Sequence, residues 1–221
     1  MKEERMLEKI QQMDNRMEVF ETLQKHWGSF FLQYEMAMNE LKTDFQIIDL
    51  EWKVKKGYSP IEHMKGRIKS PISLLKKIEK KGITFSQEEV MNNIHDIAGL
   101  RIVTTFIDDV YLLKEHIEQR EDIQVLKIKD YIRNPKPTGY KSLHMVVKTQ
   151  LILSTDVLWV PAEIQIRTSS MDFWASTEHK LNYKYNGGVV PEDAKQELIE
   201  LSRSAFELDK QMSQLRRQLL K

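Results

Sequence analysis

Leu100-Arg101-Ile102-Val103-Thr104-Thr105-Phe106 decides the fold class. The run is apolar and β-branched, too short for an ordinary helix, and reads as a buried strand. Arg101 inside it is out of character and needs an anionic partner or ligand, because an unpaired buried guanidinium is costly. Working outward, further strands are expected at about 123–129, 143–149 and 157–166, with a helix over Asp108–Arg120 that turns Val110, Leu113 and Ile117 to one side. Asn134-Pro135-Lys136-Pro137-Thr138-Gly139 reads as a rigid polar loop between strands.

Towards the N-terminus, apolar residues fall at steps of three and four from Phe20 through Leu23, Trp27, Phe30 and Tyr34 to Trp52. That spacing predicts one long amphipathic helix, or two nearly collinear ones, ended by Gly57 and weakest at Gly28. Ser59-Pro60 and Ser70-Pro71 each look like an N-cap followed by proline at the first helical position. The second opens a helix stopping near Gly82, and Ser86 with Glu89 forms a capping box for another. Ser169–Asn186 is helical before the break at Gly187-Gly188, and Pro191–Lys221 is a last amphipathic helix. The fold class is α+β: a mixed sheet of four to five strands flanked by helices, with long N- and C-terminal helices. The expected division is an N-terminal helical extension at 1–57, a catalytic domain at 58–186 and a C-terminal helix at 187–221. The stripes on the terminal helices exceed what a small core buries, which points to helix-mediated oligomerisation.

Composition excludes several function classes. Without cysteine there are no disulfides, thiolate nucleophiles or cysteine zinc sites. The charged N-terminus is no signal peptide, and no apolar run approaches the roughly 18 residues of a membrane span, so a cytoplasmic protein with no membrane partner is expected. The net charge of +1 balances 34 basic against 33 acidic side chains, so anion binding must come from clustering. Between Lys53 and Lys81 lie ten Lys or Arg and only two acids, Glu62 and Glu79. A solvated helix face is the usual meaning of such a run; polyanion binding is the sharper one.

Three clusters carry chemistry. Gly66-Arg67-Ile68-Lys69-Ser70 precedes a helix whose free N–H groups attract phosphate, with Ser73 and Lys77 on the same side. His95-Asp96-Ile97-Ala98-Gly99-Leu100-Arg101 sets a carboxylate at the edge of the buried strand, suited to a hard cation. His95 lacks a second histidine at ligand spacing and reads as a structural or capping residue. In Ala162-Glu163-Ile164-Gln165-Ile166-Arg167-Thr168, alternation puts Glu163, Gln165 and Arg167 on one face. Asp96 and Glu163 on neighbouring strands would make a two-carboxylate Mg²⁺ site, with substrate phosphates supplying the other ligands.

Arg67-x-Lys69, the 95–101 segment, Gly139-Tyr140-Lys141-Ser142-x-His144, Glu163–Thr168 and Trp174-Ala175-x-x-Glu178-His179 follow one another in this order. Together they resemble the synthetase domain of the RelA/SpoT family over about residues 58–186, and the length and flanking helices resemble its single-domain small alarmone synthetases of the RelP type. The resemblance implies a nucleotidyltransferase-like sheet and transfer of pyrophosphate from ATP to the 3′-hydroxyl of GDP or GTP. On the matching positions it implies that Arg67, Lys69, Ser73, Lys77 and Arg101 hold ATP. Asp96 and Glu163 would bind Mg²⁺, with Glu163, Asp96 and Arg101 catalytic. Lys136, Tyr140, His144, Gln165, Arg167, Glu178 and Asn182 would form the acceptor pocket, Tyr140 stacking on guanine. Thr138 and Lys141 depart from the common asparagine and arginine of the Asn-Gly-Tyr-Arg turn. No paired His-Asp hydrolase motif is present, so synthesis without degradation is expected, in a homotetramer, with no nucleic acid required. Two rival readings are an RNA- or DNA-binding module on the basic run and a nucleotidyltransferase. The latter usually shows Asp-x-Asp on one strand, which the adjacent Asp108-Asp109 do not supply. A third, a helical scaffold that has lost catalysis, ranks low because the expected polar residues are all present.

Overall fold

Steps of three and four build the first element, α1 (Arg16–Lys56). The computed structural model describes residues 16–184 and 190–219. Leu23, Trp27, Tyr34, Leu41 and Phe45 are buried at those steps, so the stripe is the core-facing side of the helix. The helix breaks at Trp27 (φ −117°, ψ 16°), immediately before Gly28-Ser29, where small residues leave the backbone free to bend. Trp27 there stacks on Phe85, their ring centroids 4.6 Å apart. Gly57, at φ 64°, ends the helix. The Phe20 side chain, the helix end at Asn186, the Gly187-Gly188 break and Lys221 lie outside the described residues.

The expected helix at Ser59-Pro60 is instead a strand, β1 (Ile61–Ile68). Ser59 Oγ donates to Asp49 and accepts from the Ile61 N–H at 3.1 Å, so the hydroxyl closes a turn back onto α1 and caps nothing. The residues that follow pair antiparallel with β2 (Ala98–Thr104), from Ile61 opposite Thr104 to Ile68 opposite Ala98. That pairing satisfies an edge of β2 that a helix would have left open.

The other expected elements are present. Ser70 caps α2 (Pro71–Lys81), which ends on Gly82 at φ 62°. Ser86 Oγ accepts from the Glu89 N–H at the start of α3 (Gln87–Asn93). α4 (Ile107–Glu118) buries Val110, Leu113 and Ile117. Strands β3 (Ile123–Asp130), β4 (Leu143–Ile152) and β5 (Val157–Thr168) complete a sheet of order β1-β2-β5-β4-β3. β2 and β5 are parallel; the other pairs are antiparallel. α5 (Ser169–Lys184) follows β5 directly, and α6 (Glu192–Leu219) lies against α5 and α4.

α1 residues share one core with Ile102, Met145, Ile164 and their neighbours on one face of the sheet. α6 is held differently. Its buried positions are Ser202, Asp209 and Ser213. Ser202 Oγ donates to the Gly139 carbonyl, Asp209 accepts from Thr168 Oγ1, and Ser213 Oγ accepts from the Ile107 N–H. Its Leu201, Leu208, Met212 and Leu215 remain about half exposed. Asp109 is also buried, bonded by the Tyr58 hydroxyl and by Arg216 at 2.6 Å, so the Asp108-Asp109 pair is structural rather than a metal site. Among the described residues, no helix is long and apolar enough to cross a membrane.

Candidate active site

Alternation along the strands assembles the site on the sheet face opposite the apolar side chains. On β5, Ala162, Ile164 and Ile166 are fully buried, while Glu163, Gln165 and Arg167 point the other way. Parallel register sets Glu163 beside Gly99 and Gln165 beside Arg101; β1 adds Arg67 opposite Gly99 and Lys65 opposite Arg101. With no side chain, Gly99 leaves an opening between Arg67 and Glu163. The result is a cavity of about 190 Å³ lined by Lys65, Arg67, Asp96, Arg101, Glu163 and Gln165.

Asp96 stands two residues before β2. Its Oδ2 is held by Lys77 at 2.7 Å and Lys69 at 3.1 Å. Burial would raise its carboxyl pKa, but the Lys77 hydrogen bond and both ammonium charges outweigh that and hold it below the ordinary value. Asp96 Oδ1 is buried with no hydrogen-bond partner among the described residues. The basic run therefore divides by function. Lys53 and Lys55 pair with Asp49 and Glu51 one turn back on α1, a solvated face, whereas Arg67, Lys69 and Lys77 turn towards Asp96 and the cavity it lines. Ser73, at the start of α2, accepts from the Ser70 hydroxyl at 2.8 Å. His95 lies outside the cluster, its Nε2 3.0 Å from the Asn92 carbonyl at the end of α3, as a capping residue should.

Glu163 accepts from His144 Nδ1 at 3.1 Å and from Gln165 Nε2 at 2.8 Å. Burial again acts to raise the pKa, and the His144 and Gln165 bonds win, so this carboxyl also sits below its ordinary value. A carboxylate only accepts, so His144 Nδ1 carries the proton and Nε2 accepts from the Tyr140 hydroxyl at 2.8 Å. The Tyr140 oxygen in turn accepts from Arg167 Nη2 at 3.0 Å. One chain of bonds thus runs Arg167, Tyr140, His144, Glu163. Burial raises the Tyr140 phenol pKa despite the Arg167 charge, which keeps it a donor. Lys136 lies 4.6 Å from the Tyr140 ring centroid.

The anion demanded by Arg101 is Asp172, in the first turn of α5, 3.2 Å from Arg101 Nη1 and 3.3 Å from Arg167 Nη1. The Nε atoms of both arginines are buried without partners among the described residues. Asp172 and Lys65 are site residues that the sequence reading passed over. Lys65 shares the period-two face of Arg67, a signal hidden by the helical reading of Ser59-Pro60. Lys141 turns away from the acceptor side: it is buried against α6, where Nζ donates to Ser202 Oγ at 3.0 Å. Glu178 and Asn182 bond to each other on α5, and Asn182 borders an apolar groove between α5 and α6; neither has a described contact with Tyr140 or His144.

A family profile described as "Region found in RelA / SpoT proteins" matches residues 66–188. GTP pyrophosphokinase YwaC of Bacillus subtilis is 42% identical over 203 residues, 92% of this chain and 96% of its own length. The chain belongs to the RelA/SpoT family. Its fold is that of the family's small alarmone synthetases. Small alarmone synthetase 2 of Bacillus subtilis superposes with a TM-score of 0.79 at 42% identity, covering 87% of this chain and 99% of that one. Small alarmone synthetase 1 of the same organism, in a structure bound to its product pppGpp, also gives 0.79 at 40% identity, over 89% of this chain and 100% of that one.

Proposed function

We propose that this chain is a GTP pyrophosphokinase: it transfers the pyrophosphate of ATP to the 3′-hydroxyl of GDP or GTP, forms ppGpp or pppGpp and releases AMP, in the stringent response. The observation that carries this reading is the shared cavity, in which Glu163 and Asp96 face Arg67, Lys65 and Arg101. Strong similarity to GTP pyrophosphokinases over nearly the whole chain supports it.

The donor side is the Arg67, Lys69, Lys77 and Arg101 group, with Ser73 at the N-terminus of α2; ammonium groups and guanidinium forks suit a triphosphate of about four negative charges. The acceptor side is Tyr140 with Lys136, His144, Gln165 and Arg167, and we extend it to Glu178 and Asn182 by likeness to the family. The acceptor 3′-oxygen forms a bond to the β-phosphorus, the bridge from the α-phosphate breaks, and AMP leaves with that electron pair. Glu163, ionised at neutral pH and oriented through His144, takes the hydroxyl proton. Positioning by Arg101 and Arg167 does most of the rest.

Mg²⁺ fits this donor set. Asp96 Oδ1 is a buried carboxylate oxygen without a partner, and Glu163 lines the same cavity. Among the described residues no third acidic or histidine ligand joins them, so substrate phosphate oxygens would have to complete the shell. Bound there, the ion would neutralise phosphate charge. The exposed apolar stripe of α6, together with exposed Ile47, Leu50 and Val54 on α1, supports assembly into a homotetramer through the terminal helices. Freedom from cysteine and the use of nucleotide substrates support a cytoplasmic enzyme that needs no nucleic acid.

The test is incubation with γ-labelled ATP, GDP or GTP and Mg²⁺. Label on guanosine tetra- or pentaphosphate with AMP as co-product is expected. ADP or free pyrophosphate as the only product of ATP would overturn the assignment.

A further inference from the structure

The 131–141 segment and α6 enclose a second cavity, of about 440 Å³, whose lining shares with the acceptor side only Lys136. That is the size of a small-molecule site. Its deepest cation is Lys141, only 7% exposed, with no carboxylate partner among the described residues. One of its three N–H groups goes to Ser202 Oγ, and Nζ lies 5.2 Å from the Phe206 ring centroid. Ser202 is already committed, since its own proton goes to the Gly139 carbonyl. Burial first, then the charges of Arg203 and Lys210, work against the ammonium and depress its pKa.

Beyond Ser202 and the Phe206 ring, the cavity lining offers this cation no free carboxylate. Glu207, the carboxylate among the lining residues, is taken by Lys210 at 2.7 Å. Arg203 is exposed at the cavity and makes no described ion pair. Ile199, Phe206 and the two prolines of the loop supply no side-chain acceptor. A buried ammonium and an unpaired guanidinium face one space in which the lining carboxylate, Glu207, already pairs with Lys210, so donors outnumber free acceptors and an anion completes the site. A guanidinium fork with an ammonium matches phosphate oxygens best.

We propose that this cavity binds a compact phosphate-bearing anion, with Lys141 at its floor and Arg203 at its mouth. The source is either free polyphosphate or the tail of a nucleotide. The experiment measures binding of labelled inorganic pyrophosphate to the full chain, with the reaction site filled by α,β-methylene ATP and GDP. Binding near one equivalent per chain is expected, weakened about tenfold or more in Arg203→Ser and in Lys141→Met. Arg203 is exposed, so Arg203→Ser keeps the fold even if Lys141→Met does not. No binding to the filled protein, or undiminished binding in folded Arg203→Ser, overturns the proposal. Displacement of the label by CTP identifies a nucleotide tail, and displacement by tripolyphosphate alone identifies free polyphosphate. Displacement by neither overturns the phosphate assignment. Should the filling nucleotides fail to bind, the reaction assignment falls, while the Arg203→Ser comparison on the unfilled protein still decides this site.

Discussion

Asp172 holds Arg101 from 71 residues away, Oδ1 to Nη1 at 3.2 Å, tying the first turn of α5 to the middle of β2. The same oxygen lies 3.3 Å from Arg167. Two guanidinium groups that would repel one another are thereby fixed side by side with their charges aimed at the site. Asp172 is a positioning residue, and Asp172→Asn keeps an acceptor while removing the charge. The expected result is a fall in kcat of about 10- to 100-fold with KM for ATP changed far less, and a near-native melting temperature. Steady-state kinetics with both substrates varied would show it; unchanged kcat would remove Asp172 from this role.

Glu163→Gln is expected to abolish turnover with the fold intact. Glutamine can still accept from His144 and fill the same volume, so circular dichroism and melting should match the parent protein. Product formation at the parental rate would take the proton-accepting role away from Glu163.

Tyr140→Ala removes the aromatic surface proposed to stack on guanine and cuts the link between Arg167 and His144. Guanine-nucleotide affinity should fall about 5- to 150-fold, the equivalent of about 1–3 kcal/mol of stacking. Binding of ATP should change little. Calorimetric titration with each nucleotide separates the two, and equal losses for both would argue against the acceptor assignment.

The acids divide by sign in their effect on stability. Asp96 and Glu163 have depressed folded-state values, so their contribution is present above the ordinary carboxylate range near pH 4 and is lost as pH falls through the lower folded values. Asp209 is the opposite case: burial raises its value against the Thr168 bond. Its contribution is complete below the unfolded value and is lost as pH rises through the folded one. Asp209→Asn should therefore raise the melting temperature at neutral pH and leave it nearly unchanged near pH 3.5, at about the unfolded value. Melting curves across that range check the sign, and a shift equal at every pH would refute it.

Much of this arrangement was legible in the sequence because local periodicity and long-range burial agree there. The α1 stripe, the 100–106 run and the alternation at 162–168 each state which side faces the core. The requirement that Arg101 find an anion was readable too, but Asp172 was not, since nothing local links residues 71 positions apart. β1 was misread for the same reason. Ser59-Pro60 carries a helix-start signature, and only Asp49 on α1 and the open edge of β2 turn that segment into a strand. Lys141 sits in a motif next to Tyr140, yet in the segment before β4 the two side chains part, Tyr140 to Arg167 and Lys141 to Ser202 on α6.

The three buried polar residues of α6 have a mechanical meaning. Ser202, Asp209 and Ser213 meet fixed partners on the 134–139 loop, at the end of β5 and at the start of α4. Sliding or rotating the helix by one residue would strand all three at once, at about 1–3 kcal/mol each. Apolar contacts alone would tolerate such slippage; these hydroxyl and carboxylate bonds do not. The helix is thus indexed like a key in its lock, and the outward row of Leu201, Leu208, Met212 and Leu215 is presented at one set angle to the reaction cavity.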